Sequence, residues 1–437
     1  MRDTIFALSS GNPPAGVAIV RISGPGVRFG LEILVGHVPT ARMATFCDIK
    51  DKNQLRLDRG LVLFFAAPNS FTGEDVAELH IHGSRASVSA VLLALNDLDG
   101  FRLAEPGEFT RRAFENGKLD LTEIEGLSDL IRAETESQRR QALLQADGAL
   151  RILYEGWAQR LTHARAMIEA ELDFSDEDDI PGSVSDHVWK DMDLLSFEIR
   201  QHLDSASAAE IVREGYRIAL IGPPNAGKSS LLNYLSKRDV AIVSDVPGTT
   251  RDVVEVRLDI AGYLVIVQDT AGLRESTDQI EIEGIRRSLV AAEDADLVLG
   301  LRELDGPEYE FPAIGNQRIG ITTKIDRLDA PFTGDGDSVG ISTKTGAGIE
   351  GLLENIANRL GELAPNVALG LPTRARHVDL LGKCVASIED ARTSKLVPIE
   401  VRSEFLRQAA NSIGMITGVV DVEDLLGVIF SEFCVGK

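Results

Sequence analysis

The stretch Gly222-Pro-Pro-Asn-Ala-Gly-Lys-Ser229 decides the fold of the middle of this chain. It has the spacing Gly-x4-Gly-Lys-Ser. The apolar run Arg217 to Ile221 before it reads as a strand and the residues after it open a helix, the two contexts the spacing requires. The N–H groups of such a loop, with the positive end of the following helix, form a concavity for phosphate. Lys228 is placed to reach β- and γ-phosphates, and the Ser229 hydroxyl to ligate Mg²⁺. Asn225, Ala226, Gly227, Lys228, Ser229 and Ser230 are therefore candidate nucleotide-binding residues.

Three further segments narrow the nucleotide. Asp269-Thr270-Ala271-Gly272 closes a strand expected beside the loop, so Asp269 can hold Mg²⁺ through water. Gly248-Thr-Thr-Arg-Asp252 lies where a first switch loop would, with Thr250 as a second Mg²⁺ ligand. Thr323-Lys324-Ile-Asp326 ends the next strand, and Ser342-Thr343-Lys344 follows another. A carboxylate at Asp326 accepts both N1–H and N2–H₂ of guanine, a donor pair that adenine lacks, so the site selects GTP over ATP.

Two positions depart from the usual pattern of such sites. Thr323 stands where an Asn is normal, which removes an amide able to brace both the loop and the base and predicts modest nucleotide affinity. Leu273 follows Asp-x-x-Gly where a water-orienting Gln is common, and it cannot position water. Glu275, Asp278, Glu281 and Glu283 follow it, and spacing alone does not choose among them.

Outward from the loop, Val253 to Ile260, Tyr263 to Gln268, Leu297 to Leu301 and Arg318 to Thr322 read as strands between helices. This is a doubly wound α/β GTPase domain over 212–371. Helical periodicity precedes it, in Leu121, Ile124, Leu127, Leu130 and Ile131 and in Leu143, Leu144, Leu150 and Leu153, and returns after Pro372. The α/β block is thus expected as an insertion in one helical domain, 117–211 and 372–437. Residues 1–116 read as a small α+β domain, with strands at Gly16 to Ser23, Gly60 to Ala66 and Val76 to His82 and a helix from Ala86 to Leu98. The acidic run Phe174 to Ile180 reads as a solvated connection.

Composition sets limits on function. Forty-five Lys and Arg against 68 Asp and Glu give −23, which argues against non-specific coating of nucleic acid or anionic membrane. The pairs Arg111-Arg112 and Arg139-Arg140 could dock a structured RNA, but read more simply as solvated helix faces. The three cysteines, Cys47, Cys384 and Cys434, form no Cys-x-x-Cys and cannot all pair, as expected in a reducing compartment. No apolar run nears the roughly 18 residues of a membrane span, and no signal core opens the chain, so a cytoplasmic location is expected. Glu78, His80 and His82 alternate along one strand, where steps of about 6.6 Å spread them too widely to converge on one ion.

Taken with both ends of the chain, these residues resemble the family of tRNA modification GTPases called MnmE or TrmE. Its markers are Arg21-Ile-Ser-Gly24, Glu105-Pro-Gly-Glu-Phe-Thr-Arg111, Asn116-Gly-Lys-Leu-Asp-Leu121, Pro247-Gly-Thr-Thr-Arg-Asp252, Asp269-Thr-Ala-Gly-Leu-Arg-Glu275 and the terminal Cys434-Val-Gly-Lys437. The resemblance implies Glu281 as the water-orienting catalytic residue. It implies K⁺ in place of an arginine finger, on Asn225, Ser244, the Val246 backbone and Thr249. It also implies a folate-binding-like N-terminal domain that takes a formyl-tetrahydrofolate as one-carbon donor, through Arg21, Glu78, Lys118 and Lys437. Cys434 would lie near that chemistry. The implied function is GTP-dependent addition of an aminomethyl or carboxymethylaminomethyl group at C5 of the wobble uridine of certain tRNAs. The implied assembly is a homodimer acting with an FAD-dependent partner subunit of the MnmG (GidA) kind. A ribosome-assembly GTPase is the rival enzyme reading, and a nucleotide-gated switch without covalent chemistry the rival of another class.

Overall fold

In the computed structural model the described residues are 3–173, 184–238, 240–242, 254–269, 290, 292–306, 317–333, 338–363, 371–394, 397–420, 429–430 and 436. The chain forms two compact units, one of Met1–Ser128, Ala146–Ser185 and Asp390–Lys437, the other of Asp129–Gln145 and Asp186–Glu389.

The first unit is built on a six-stranded sheet of order β3-β4-β5-β2-β1-β6. The strands are β1 Thr4–Leu8, β2 Ala15–Ser23, β3 Thr45–Lys50, β4 Arg56–Phe65, β5 Val76–Gly83 and β6 Phe101–Leu103. Neighbours run antiparallel except β1 and β6. Alternation sets the faces: Ala18, Val20 and Ile22 of β2 and Ala77, Leu79 and Ile81 of β5 are buried with Leu31 and Leu34 of α1 (Val27–Val35) and Val91 and Leu95 of α2 (Arg85–Asn96). The residues between them, among them Arg21, Glu78 and His80, fall on the other face of the sheet. The strands expected from sequence are present with small changes of end.

Four helices follow the sheet in order. They are α3 Glu108–Glu115, α4 Leu121–Arg132, α5 Glu136–Ala146 and α6 Ala149–Asp173. Leu121 and Ile124 of α4 bury against Phe430. α6 packs along the last described helix, Ile399–Thr417.

The second unit holds a sheet of order β12-β11-β10-β7-β9-β8. Its strands are β7 Tyr216–Ile221, β8 Val254–Ile260, β9 Tyr263–Asp269, β10 Leu297–Glu303, β11 Gln317–Thr323 and β12 Ser338–Ile341. All pairs are parallel except β8 with β9. Its strand core is rich in Ile, Leu and Val, as expected when both faces are covered. β7, first in the chain, lies between β9 and β10. That places a topological switch point at its carboxyl end, where doubly wound sheets bind ligands.

In the chain α7 Val184–Asp204 precedes this sheet, and α8 Ala206–Glu214, α9 Lys228–Leu235 and α10 Ile349–Leu363 lie against the sheet. After them come α11 Ala375–Thr393 and α12 Ile399–Thr417. The α5 segment is fixed to the β8–β9 hairpin. Ser137 N–H donates to the Gly262 carbonyl at 3.1 Å, and Arg257 Nη1 reaches both oxygens of Glu134 at 3.0 and 3.1 Å.

Candidate functional site

At the end of β7 the chain turns through Gly222, with φ +157°, where a Cβ would come within 2.2 Å of the Leu301 carbonyl oxygen. Only glycine lets the loop pass so close to the neighbouring strand. Asn225 sits in the left-handed region at φ +64°, which Asn tolerates better than most residues. Gly227, at φ +97°, caps α9, and Lys228 begins it. Lys228 is buried, and its Nζ donates to the carbonyls of Gly222 at 2.7 Å and Pro223 at 3.0 Å. Burial pulls the Lys228 pKa below its ordinary value, opposed in part by the carboxylate of Asp269.

A second strand end completes the phosphate side. Asp269 ends β9 and is buried, and the Ser229 hydroxyl donates to its Oδ2 at 2.7 Å. A hydroxyl and a carboxylate brought this close are the hard oxygen donors that Mg²⁺ takes.

The base-reading side comes from β10, β11 and β12. The chain leaves β11 through Lys324, at φ +62°, into the 3₁₀ turn Ile325–Arg327 that carries Asp326. Ser342, fully buried after β12, donates to Asp326 Oδ1 at 2.7 Å. The Asp326 carboxyl lies below the usual carboxylate range, chiefly because of that hydrogen bond. Thr343 and Lys344 continue the turn, in which Lys344 N–H reaches Ser342 Oγ at 3.3 Å.

Thr323 corrects the sequence reading. Its hydroxyl donates to the Ala226 carbonyl of the phosphate loop at 2.8 Å, with the Arg302 carbonyl 3.2 Å away as the alternative acceptor. A side-chain bond to the loop, expected to be lost with the Asn, is therefore present.

A second cluster lies on the sheet of the first unit. Arg21 and Glu78 are paired across β2 and β5, with Arg21 Nε and Nη2 at 3.1 and 2.9 Å from Glu78 Oε1. The guanidinium stands over the rings of Phe71 at 5.3 Å and Phe109 at 5.9 Å. His80 Nε2 is 3.4 Å from Glu78 Oε2, and His82 instead engages Asp58 at 2.8 Å. The Lys118 side chain passes beside Gly73, where a Cβ would lie 3.2 Å from its Cγ. Ser9 Oγ donates to the Gly436 carbonyl at 2.7 Å, and the Ser9 N–H donates to Ile19, two residues from Arg21. Gly436 thus lies beside the β1–β2 connection.

Arg112 is not on a solvated face. It is buried and donates to Glu74 at 3.1 Å and Glu108 at 3.0 Å, while Arg102 holds both oxygens of Glu108 at 2.6 and 2.8 Å. Glu108 of the Glu105-to-Arg111 motif and Arg112 just after it belong to this ion network, which sequence spacing could not reveal because Glu74 lies 38 positions from Arg112. Arg111, Arg139 and Arg140 are exposed as expected, on Glu115 and Glu136. Ser244, Val246, Thr249, Thr250, Thr270, Ala271, Gly272, Leu273, Glu275, Asp278, Glu281, Glu283, Cys434 and Lys437 lie outside the described residues, as does the 174–180 run. No described helix is long and apolar enough to cross a membrane.

Comparison with known proteins identifies the family. The family model described as MnmE helical domain matches residues 121–434, more than half of the chain. The model described as GTP-binding protein TrmE N-terminus matches residues 4–118. A tRNA modification GTPase MnmE of Rhizobium etli (strain CIAT 652) is 53% identical over 445 residues, covering 100% of this chain and 99% of the relative. One of Sinorhizobium medicae (strain WSM419) is 54% identical over 439 residues with the same coverage. Among solved structures, the G domain of the T. maritima FeoB iron transporter is 28% identical, covering 34% of this chain and 98% of that one, at a TM-score of 0.25. A point variant of Aquifex aeolicus Era bound to GDP.AlF4⁻ is 23% identical, covering 39% and 66%, at a TM-score of 0.26. With a full-length identity above one half and two family models that between them run from residue 4 to residue 434, this chain belongs to the MnmE (TrmE) family of tRNA modification GTPases.

Proposed function

We propose that the chain binds and hydrolyses GTP to drive modification of C5 of the wobble uridine in certain tRNAs. The observation that supports this most is the joining of four separate segments by three hydrogen bonds: Ser229 to Asp269, Thr323 to Ala226, and Ser342 to Asp326. The residues we read as binding phosphate, metal and guanine are therefore neighbours at one end of one sheet, which supports this reading.

The residues present fit Mg²⁺, which Ser229 would hold directly and Asp269 through water, with Thr250 as a further hydroxyl. When bound, the ion neutralises charge on the β- and γ-phosphate oxygens. Lys228 exchanges its two carbonyl acceptors for phosphate oxygens. Asp326, kept ionised by Ser342, accepts the two guanine N–H groups. Exposed Asn225 offers a neutral carboxamide oxygen of the kind K⁺ takes. Ser244, the Val246 backbone and Thr249 would complete that set, and the cation would offset charge that develops during transfer. Glu281 would orient the attacking water.

The Arg21 cluster fits a formyl-tetrahydrofolate in chemistry. It offers cationic and anionic hydrogen-bonding groups against aromatic rings, with Lys118 and Lys437 as further cations for the glutamate tail. Self-association through the first unit is supported by apolar side chains left outside its core, Val17 at 57%, Phe46 at 61% and Leu61 at 42% exposure, the last two opposite one another on β3 and β4. An FAD-dependent subunit would supply the redox step, and the cytoplasm is where such an assembly would meet tRNA.

The test is nucleoside mass spectrometry of tRNA from cells lacking this gene. The C5 side chain should disappear, and return with the wild-type chain but not with Lys228→Ala or Glu281→Ala. Unchanged nucleosides in the deletion strain, with no second gene covering the role, would overturn the assignment.

A further inference from the structure

The last residue of β10, Glu303, is placed to govern the guanine-reading turn without touching the base. Its Oε2 is 2.8 Å from Lys324 Nζ, and its Oε1 accepts from Arg327 Nη1 at 2.6 Å. These two cations flank Ile325 and Asp326, so one carboxylate grips the turn on both sides of the base-reading residue. The main chain is joined at the same place: Glu303 is in register with Thr323, and Leu304 N–H donates to the Thr323 carbonyl at 3.2 Å. Within the turn, Arg327 N–H closes on the Lys324 carbonyl at 3.2 Å. The Asp326 carboxylate itself is held at its tip, by Ser342.

We propose that Glu303 is a positioning residue for guanine specificity, fixing the Lys324–Arg327 turn so that Asp326 meets both guanine donors at once. This rests on the reading of Asp326 as the base-reading carboxylate. The physical reason is geometric. A carboxylate that accepts two N–H groups of a rigid ring tolerates little rotation, whereas a single hydrogen bond adapts to it. A looser turn would therefore cost the second guanine bond more than the first. The lysine also matters: unrestrained, its flexible stem samples many rotamers, and the charge-assisted bond to Glu303 narrows them. The Glu303 carboxyl lies below its ordinary pKa, first through the Lys324 contact, so it is anionic at neutral pH and this grip is kept.

The experiment compares GDP with IDP, which lacks the 2-amino group, by calorimetry on the full-length chain. Glu303→Gln keeps the shape of the side chain and removes its charge. It should lower the GDP-over-IDP preference on the order of 3- to 10-fold, by weakening GDP more than IDP. Arg327→Gln, which removes one of the two grips, should lower it by less. An unchanged ratio in Glu303→Gln would overturn the proposal, and so would equal weakening of both nucleotides, which signals only a general loosening. Asp326→Asn tests the underlying reading separately. An amide there accepts N1–H and donates to a 2-oxo group, so this variant should prefer XDP to GDP. If it does not, the base-reading assignment falls and the role of Glu303 with it. If it does while the Glu303→Gln ratio holds, only the role of Glu303 falls.

Discussion

Replacing Arg112 with Met tests whether the Glu105-to-Arg112 segment acts as an ion network. Arg112 is 5% exposed and serves two carboxylates, Glu74 and Glu108. Of Arg102, Glu108, Arg112 and Glu74, Arg112 is the most deeply buried, and the substitution leaves its two carboxylates with one cation fewer. Breaking such a pair from one side costs about 3–5 kcal/mol. Here Glu108 keeps both hydrogen bonds from Arg102 and the Glu105 N–H, and Glu74 keeps the Ser23 hydroxyl at 2.9 Å, so the low end, about 3 kcal/mol, is expected. For a unit of this size that is a fall of about 6–12 °C in melting temperature. The chain has two tryptophans, and in a Trp189→Phe background the buried Trp157 reports on the unit that holds Arg112. Adding Glu74→Gln removes the charge left stranded and should recover about 1–2 kcal/mol. The pH dependence has a definite sign. Burial alone would raise the Glu108 pKa, but the Arg102, Glu105 and Arg112 hydrogen bonds outweigh it and hold it below the ordinary value. Its contribution is therefore full above the ordinary carboxylate pKa and is lost as pH falls through the native one. The gap between variant and wild type should narrow as the pH falls below the ordinary carboxylate range. A loss under about 1 kcal/mol, or a loss indifferent to Glu74→Gln, would refute the reasoning.

Three further outcomes are expected. Thr323→Val keeps the shape but leaves the buried Ala226 carbonyl without its donor, so GDP affinity by calorimetry should fall roughly 5- to 10-fold. His202 is pushed down to about 4 by burial, with the charge of His377 adding to it. It therefore stabilises above its unfolded pKa and loses that as pH falls from about 6.5 toward 4; thermal melts should show at most about 3 kcal/mol of acid sensitivity that His202→Gln removes. The Cys384 thiol is pushed up to about 12 by burial, so a disulfide reagent at pH 8 should leave it unlabelled in native protein and label it after denaturation.

What the sequence revealed and what it hid follow from the range of the interactions. The phosphate loop was legible because Gly222, Gly227 and Lys228 act on their own backbone within one turn. The strands β7, β9 and β10 were legible because both their faces are covered and they read as largely apolar runs. β1, β3 and β6 were not. β1 is five residues and β6 three, and each is held by its neighbours more than by its own pattern. The bond of Thr323 to Ala226 spans 97 positions, and no local rule shows that a hydroxyl can replace an amide there. Arg112 was misread for the same reason. A helical arginine beside another arginine carries no mark of burial until its partner from the 70–75 loop arrives. Arg21 and Glu78 were singled out through the family resemblance, and their pairing on adjacent strands became visible only in three dimensions.

The interleaving of the two units along the chain has a consequence for how the protein is made. α6 ends at Asp173 and its packing partner α12 begins at Ile399, 399 − 173 = 226 positions later. At about 5–20 residues per second, a ribosome leaves α6 without that partner for roughly 10–45 s. The whole nucleotide-binding sheet is synthesised in that interval and can close first, since residues 186–389 carry all six of its strands. The unit begun first is therefore finished last. A nascent chain stalled before Ile399 should present a competent nucleotide site beside an incomplete helical pair, and apolar α6 residues such as Leu161 and Ile168 would then be the surface a chaperone meets.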